Sequence, residues 1–229
     1  MIINDHSRDH MRFFQLHLGG DRNFQYLIGD ARTGEAAAVD PGFAPDRMME
    51  IAEEHGLAIR KILITHGHDD HCGQAAALAA STGAVIYAGD PAILAGARPL
   101  EDDQLLNSGG MIVRALATPG HAPDHFCFMC EDHLLTGDLL FCGKVGGTGA
   151  YFPGSSAREE WDSLQRLMLL PLSTRVYPGH DYYGGDGAMA FSTLEFEKGH
   201  NPFLTCGGFE AFCSLKENWV AYKEEHGIR

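Results

Sequence analysis

The sequence predicts an α/β protein whose sheets are covered by helices, and three observations carry that expectation. Short apolar segments alternate with segments of helical period. The run Ile62, Leu63, Ile64 lacks the in-out alternation of a half-exposed strand and reads as buried on both faces. Three separate strand-like runs stop just before a histidine: at Thr65-His66, at Thr118-Pro119-Gly120-His121 and at Pro178-Gly179-His180. Ligand sites in α/β proteins gather beyond the carboxyl ends of strands, where loops converge. With 229 residues, 45% of them hydrophobic, the chain can bury a large core. We expect one domain over 1–229, with 191–229 as a C-terminal helical extension.

Taken in order, 12–18 and 23–28 read as strands joined by the turn Gly19-Gly20-Asp21, and 35–39 as a third that ends at Asp40-Pro41-Gly42. Residues 46–55 place Met48, Met49, Ile51 and Ala52 at helical spacing before Gly56. The strand 59–65 follows, then HxHxDH (His66, His68, Asp70, His71), then an alanine-rich helix over 72–80. Residues 84–88 form a short strand, 91–95 a helical turn, and 101–110 a polar connection or edge hairpin. The strand 111–117 runs into His121. Residues 126–130 and 134–135 pair as a hairpin that ends at Thr136-Gly137-Asp138, and the glycine-rich stretch 143–154 reads as a long loop. A helix over 158–170 presents Trp161, Leu164, Leu167 and Met168 on one face, and 175–177 is the last strand. Helices over 192–199 and 209–225 close the chain, the latter with Phe212, Leu215, Trp219 and Tyr222 in one stripe.

Acidic residues outnumber basic ones 31 to 17, a formal charge of -14, and no Lys/Arg run tracks phosphates, so nucleic acid is not an expected partner. The polar start lacks a signal-peptide layout and no apolar run reaches membrane-spanning length, so we expect no membrane association and a cytoplasmic home. The six cysteines are sparse. Cys127 and Cys130 form a CxxC inside an apolar run without a second CxxC to complete a zinc site, and read as buried thiols. An oligomer is compatible with the sequence.

Imidazole and carboxylate together suit zinc, iron or manganese. His66, His68, Asp70, His71, His121, Asp138 and His180 make seven candidate ligands. One catalytic ion takes about three protein ligands, so seven suit two divalent ions sharing a carboxylate, with Asp138 as the bridge. Residues two apart in an extended segment share a face, so His66 and His68 hold one ion, while Asp70 and His71, at the turn into a helix, address another. Two ions about 3.5–4 Å apart trap a bridging hydroxide and polarise a carbonyl, which is hydrolytic equipment.

These motifs, with Asp40-Pro41-Gly42 and Tyr177 to Tyr182, resemble the metallo-β-lactamase superfamily over roughly residues 12–182. The resemblance implies a four-layer αββα sandwich. It assigns His66, His68 and His121 to one ion, Asp70, His71 and His180 to a second, Asp138 between them, and Asp40 to a supporting place behind the ligands. Asp70 would also orient the nucleophile. Thr136 to Phe141, Gly143-Lys144, Gly179 to Tyr182 and Asn201 to Leu204 are similar to the glyoxalase II branch, which hydrolyses S-acylglutathione thioesters. That likeness implies a small thiol-derived substrate, a glutathione conjugate, with Lys144 on its glycyl carboxylate and Tyr182 holding the peptide. It also implies two divalent ions, zinc first, with iron or manganese as alternatives. Full-length members of that branch continue into a larger helical domain, and the loop 144–149 is richer in glycine here.

Two other readings stand beside it. The persulfide dioxygenase branch resembles glyoxalase II but uses one iron, for which His66, His121 and Asp138 would be the facial triad. Gly143-Lys144 differs from the Gly-Arg-Thr-Asp run of that branch. The third reading, a fold member that binds metal without catalysis, sits badly with a complete ligand set. His125, four residues after His121, is a candidate neighbour of the cluster, and the remaining histidines fall in no motif.

Overall fold

The order of strands explains how ligands far apart in sequence meet. In this computed structural model, which describes residues 1–20, 22–182 and 189–227, the first sheet contains β1 (Ile2–Asp5), β2 (Met11–Leu16), β3 (Gln25–Asp30), β4 (Glu35–Val39), β5 (Ala58–Leu63), β6 (Val85–Ala88) and β7 (Arg98–Pro99), side by side in chain order. Neighbours from β1 to β4 are antiparallel, and those from β4 to β7 are parallel. A parallel pair needs a crossover, supplied by α1 (Pro45–Glu54) before β5 and by α2 (Asp69–Cys72) with α3 (Ala75–Thr82) before β6. Next come β8 (Leu105–Ser108), β9 (Met111–Ala117), β10 (Phe126–Cys130), β11 (His133–Gly137), β12 (Leu140–Phe141), β13 (Lys144–Val145), α4 (Ala157–Leu167), β14 (Arg175–Pro178) and β15 (Ser192–Thr193). Six of these strands make the second sheet in the order β15-β14-β11-β10-β9-β8, while β12 and β13 pair with each other. Four helices end the described chain: α5 (Leu194–His200), α6 (Pro202–Thr205), α7 (Phe209–Glu217) and α8 (Trp219–His226).

Three apolar clusters define the layers. Between the sheets, Phe13, Tyr26, Ile28 and Leu63 of the first meet Val113, Phe128, Leu135 and Tyr177 of the second. On the outer face of the first sheet, Leu27, Ala38 and Ile62 pack on Met48 and Ile51 of α1 and Leu78 of α3. On the outer face of the second, Leu134 and Val176 pack with Leu164, Leu167, Leu194, Phe203 and Phe212 from α4 to α7. Along β3 the alternation is visible residue by residue: Tyr26 and Ile28 face the inner cluster and Leu27 the outer one. The result is the αββα sandwich. Each fully buried Leu or Phe contributes about 1.5–3 kcal/mol, and the inner layer alone contains many.

Several boundaries differ from the sequence reading. The helix expected over 72–80 is two pieces, because the Gln74 N–H leaves the helical path to donate to Pro41 O at 3.1 Å. The expected 209–225 helix breaks at Asn218, whose ψ of 18 is non-helical and whose Nδ2 donates to Ser214 O at 2.8 Å. Ser192 and Thr193, expected in a helix, pair with β14, and the Thr193 hydroxyl then caps α5 by accepting from Phe196 N. The edge strands β1 and β7 were not expected. The 101–110 stretch is an edge hairpin through β8 and β9. Asp21 and Tyr183 lie outside the described residues.

The sheets are stitched together where the motifs lie. Phe24 N donates to Gly179 O at 2.8 Å, Phe126 N donates to Thr65 O at 2.7 Å, and Asn23 bridges His180 in antiparallel fashion.

Candidate metal centre

The first half of the site begins with Asp40, which follows β4 at a φ of 50. Its carboxylate accepts from Thr65 N at 2.7 Å and from the Thr65 hydroxyl at 2.6 Å, fixing the residue before the HxHxDH loop. The same carboxylate lies 2.9 Å from His71 Nδ1. Asp69 starts α2, so Asp70 and His71 turn back toward the end of β5. Asp40 therefore stands behind His71 and Thr65 and outside the cluster of facing ligand atoms.

The second half comes from three strand ends: His121 after β9, Asp138 after β11 and His180 after β14. The approach of His180 requires Gly179, since a Cβ there would lie 2.3 Å from Asp138 Oδ1 and 2.8 Å from His71 Cε1.

Ligand atoms converge in two trios. His68 Nδ1 lies 2.9 Å from His66 Nε2 and 3.1 Å from His121 Nε2. His180 Nε2 lies 3.2 Å from His71 Nε2 and 3.3 Å from Asp70 Oδ2. Asp138 stands between them, with Oδ1 3.3 Å from His71 Nε2 and Oδ2 3.4 Å from His180 Nε2 and 3.7 Å from His121 Nε2. His66, His68 and His121 form one group able to hold an ion, Asp70, His71 and His180 another, and His66, His71 and Asp138 a third that joins them. In a tetrahedral zinc site with bonds of about 2.0–2.1 Å, ligand atoms stand roughly 3.3 Å apart, close to the spacings seen here. Asp138 Oδ1 is buried and, apart from the facing His71 Nε2, meets no hydrogen-bond donor among the described residues, as a carboxylate oxygen turned toward a cation would. The residues present fit divalent ions.

The far nitrogens are also placed. His66 Nδ1 meets the Thr65 hydroxyl at 3.0 Å, His71 Nδ1 meets Asp40, and His121 Nδ1 donates to Gly147 O at 2.8 Å. Such partners fix the tautomer of a ligating imidazole.

Electrostatics divide the trios. Burial, reinforced by His71, holds His66 well below the ordinary imidazole pKa, and burial likewise lowers His121. Burial opposes charging of His71 and His180 too, but Asp138 with Asp40 raises His71 well above its usual range, and Asp138 with Asp70 raises His180 to about 9. Burial disfavours the Asp138 carboxylate, yet His71 and His180 keep its pKa well below the usual carboxylate range. His66 and His121 thus offer neutral lone pairs, and the second trio is embedded in negative charge.

Beside Asp138 opens a cavity of about 230 Å³, whose lining includes His121, Lys144, Phe152, Tyr182, Lys216 and Trp219. The Lys144 ammonium lies 4.2 Å from the centre of the Tyr182 ring, and that ring stacks on His180 at 5.2 Å. Phe152 covers His121 at 4.8 Å between ring centres. Cys127 and Cys130 are buried free thiols, their pKa values pushed up to about 12 by burial.

Sequence reasoning missed several contributors. Asn23 donates to Asp70 Oδ2 at 2.9 Å, and Thr65 links Asp40 to His66. Neither carries a motif of its own, although Thr65 directly precedes the first histidine. Lys216 lines the cavity from α7, 72 residues beyond Lys144, with no spacing signal to announce it. His125 packs 5.3 Å from the His66 ring and meets the Thr118 hydroxyl at 2.9 Å.

Fold and site together define a metallo-β-lactamase-type domain, and the chain belongs to the metallo-β-lactamase superfamily, which it matches over residues 18–110 and 90–180. Within it the chain falls on the glyoxalase II-like side. It is 37% identical over 173 residues to a hydroxyacylglutathione hydrolase of Methylococcus capsulatus, covering 73% of this chain and 66% of that protein. It is 35% identical over 183 residues to the probable polyketide biosynthesis zinc-dependent hydrolase BaeB of Bacillus velezensis, covering 76% and 79%. The crystal structure of ETHE1 from Myxococcus xanthus superposes with a TM-score of 0.82 at 32% identity, covering 90% of each chain. The chain spans about two thirds of the length of the hydroxyacylglutathione hydrolase it matches. No helix among the described residues is long and apolar enough to cross a membrane.

Proposed function

We propose that the protein is a metal-dependent thioester hydrolase acting on S-acylglutathione-type substrates, with His66, His68 and His121 on one ion, Asp70, His71 and His180 on a second, and Asp138 between them. The observation that carries this reading is the joining of two ligand trios by one buried carboxylate beside a cavity with a lysine at its wall. The likeness to hydroxyacylglutathione hydrolases supports the acyl-glutathione class, and the zinc-dependent relative supports zinc.

Divalent ions held here would supply Lewis-acid polarisation of a carbonyl and a nucleophile at neutral pH. The protein's own residues do the rest. Asp70, fixed by Asn23 and His180, presents a carboxylate that orients the attacking group and accepts its hydrogen bond. Lys144 receives the carboxylate of the thiol arm, and Tyr182 offers a ring against which that arm lies. Phe152 shields the His68 and His121 side from water. A thiolate is a good leaving group, so no separate acid is needed.

The same residues support a second reading, persulfide oxidation with one iron on His66, His121 and Asp138, and the observation favouring it is the end-to-end fit to ETHE1. Metal content and product analysis decide between them. Hydrolysis of S-lactoylglutathione by protein holding two ions per chain is expected. Protein that holds one iron, consumes oxygen with glutathione persulfide and leaves S-lactoylglutathione intact would overturn the hydrolase reading.

A further inference from the structure

Lys216 of α7 and Glu160 of α4 form an ion pair in which the carboxylate is fully enclosed and the lysine side chain is only one-tenth exposed. Enclosing two charges is costly, and apolar residues of similar volume often serve stability as well or better. The pair therefore calls for an account in what it holds. Besides Glu160, the Lys216 ammonium donates to Gly146 O at 2.7 Å. The next carbonyl along the chain, that of Gly147, accepts from His121 Nδ1. Gly146 lies wedged in the site: a Cβ there would sit 2.1 Å from Asp138 O and 3.0 Å from both His121 Cβ and Glu160 Oε1. From the other side, the backbone of Glu160 presses on the residue before His121, since a Cβ on Gly120 would lie 2.3 Å from Glu160 Cα.

Glu160 and Lys216 thus touch the segments on both sides of the His121 imidazole. The loop that carries Gly147 has glycines at 143, 146, 147 and 149 and little intrinsic stiffness, so its carbonyls need an external anchor. Helix α7 can supply one because Phe212, one turn before Lys216, is fully buried in the outer cluster.

We propose that Lys216 and Glu160 are positioning residues for the metal centre: they lock the Gly146-Gly147 carbonyls so that His121 presents Nε2 toward His66 and His68. This rests on the reading of those three histidines as ligands of one ion. Partners that orient a metal-bound histidine typically govern about 10–100-fold in metal affinity.

The test uses the full chain, stripped of metal and titrated with Co(II) alone against a chromophoric chelator, with thermal unfolding of the metal-free protein measured in parallel. Lys216→Met is expected to weaken the His121-dependent ion by about tenfold or more. It also strands a buried carboxylate, so the deciding variant is the double Glu160→Met, Lys216→Met, which removes both charges. The double variant is expected to recover the metal-free unfolding temperature without recovering Co(II) affinity. Wild-type Co(II) affinity in the double variant would overturn the proposal. His121→Ala separates this from the underlying reading: if that variant also binds Co(II) like wild type, the ligand assignment fails rather than the anchor.

Discussion

The first sheet delivers four candidate ligands from six consecutive residues, His66 to His71, whereas the second delivers three from separate strand ends, His121, Asp138 and His180. The first set depends on one loop, clamped locally by Asp40 through Thr65 and His71. The second depends on the register of β9, β11 and β14 and on the layers outside them. It also contains the residue that unites the centre, because Asp138 reaches His71 and His180 as well as His121. A cluster of candidate ligands in sequence is therefore half of a site, and the half that joins the two trios is dispersed.

The largest effects should test that asymmetry. Asp138→Ala is expected to lower bound metal at both positions, while His68→Ala should lower it at one. Each should reduce thioester hydrolysis by roughly a thousandfold, since Lewis-acid stabilisation is worth several kcal/mol and a decade in rate costs about 1.4 kcal/mol. Metal stoichiometry by elemental analysis distinguishes them. Unchanged stoichiometry in Asp138→Ala would remove it as the link between the trios.

A step smaller is the local clamp. Asp40→Asn keeps the size of the side chain but weakens the contact with His71 Nδ1, and is expected to cost about 10–100-fold in affinity for the ion bound by His71. Competition with a chelator measures it. Equal weakening at the His66, His68 and His121 trio would show that the clamp serves the whole loop rather than His71.

The same asymmetry sets what the sequence reveals. Ile62 to Ile64 announce a strand buried on both faces, and HxHxDH announces ligands by spacing alone, because the loop's geometry is local. His121, Asp138 and His180 are legible only as polar residues after strands, and their meeting follows from a strand order that no short window contains. Asn218 and Gln74 are harder still: each interrupts a pattern that looks continuously helical, one by a side-chain bond to Ser214 and one by a backbone bond to Pro41. Lys216 looks like a solvated helix lysine in sequence, and only the packing of α7 on α4 places it beneath the Gly146 loop.

Away from the two trios, the cavity wall should separate binding from chemistry. Lys144→Met removes a charge-assisted contact worth about 1.5–3 kcal/mol, so kcat/KM for an acyl-glutathione should fall roughly 10–100-fold, mostly through KM. An S-acyl thiol without a carboxylate should be affected far less. A fall in kcat at unchanged KM would instead place the lysine in the chemical step.

Tyr182→Phe should have the smallest effect, and its size bears on which part of the residue matters. The ring stacks on His180 and faces Lys144, and Phe preserves both contacts. What is lost is a hydroxyl, for which a net hydrogen bond of about 0.5–1.5 kcal/mol sets a ceiling near tenfold in KM. If Tyr182→Phe matched Lys144→Met in KM, the hydroxyl would have to contact the substrate as strongly as the ammonium. If it left KM untouched while Tyr182→Ala raised it, the ring alone would be the platform, holding Lys144 over the second-sheet side of the site.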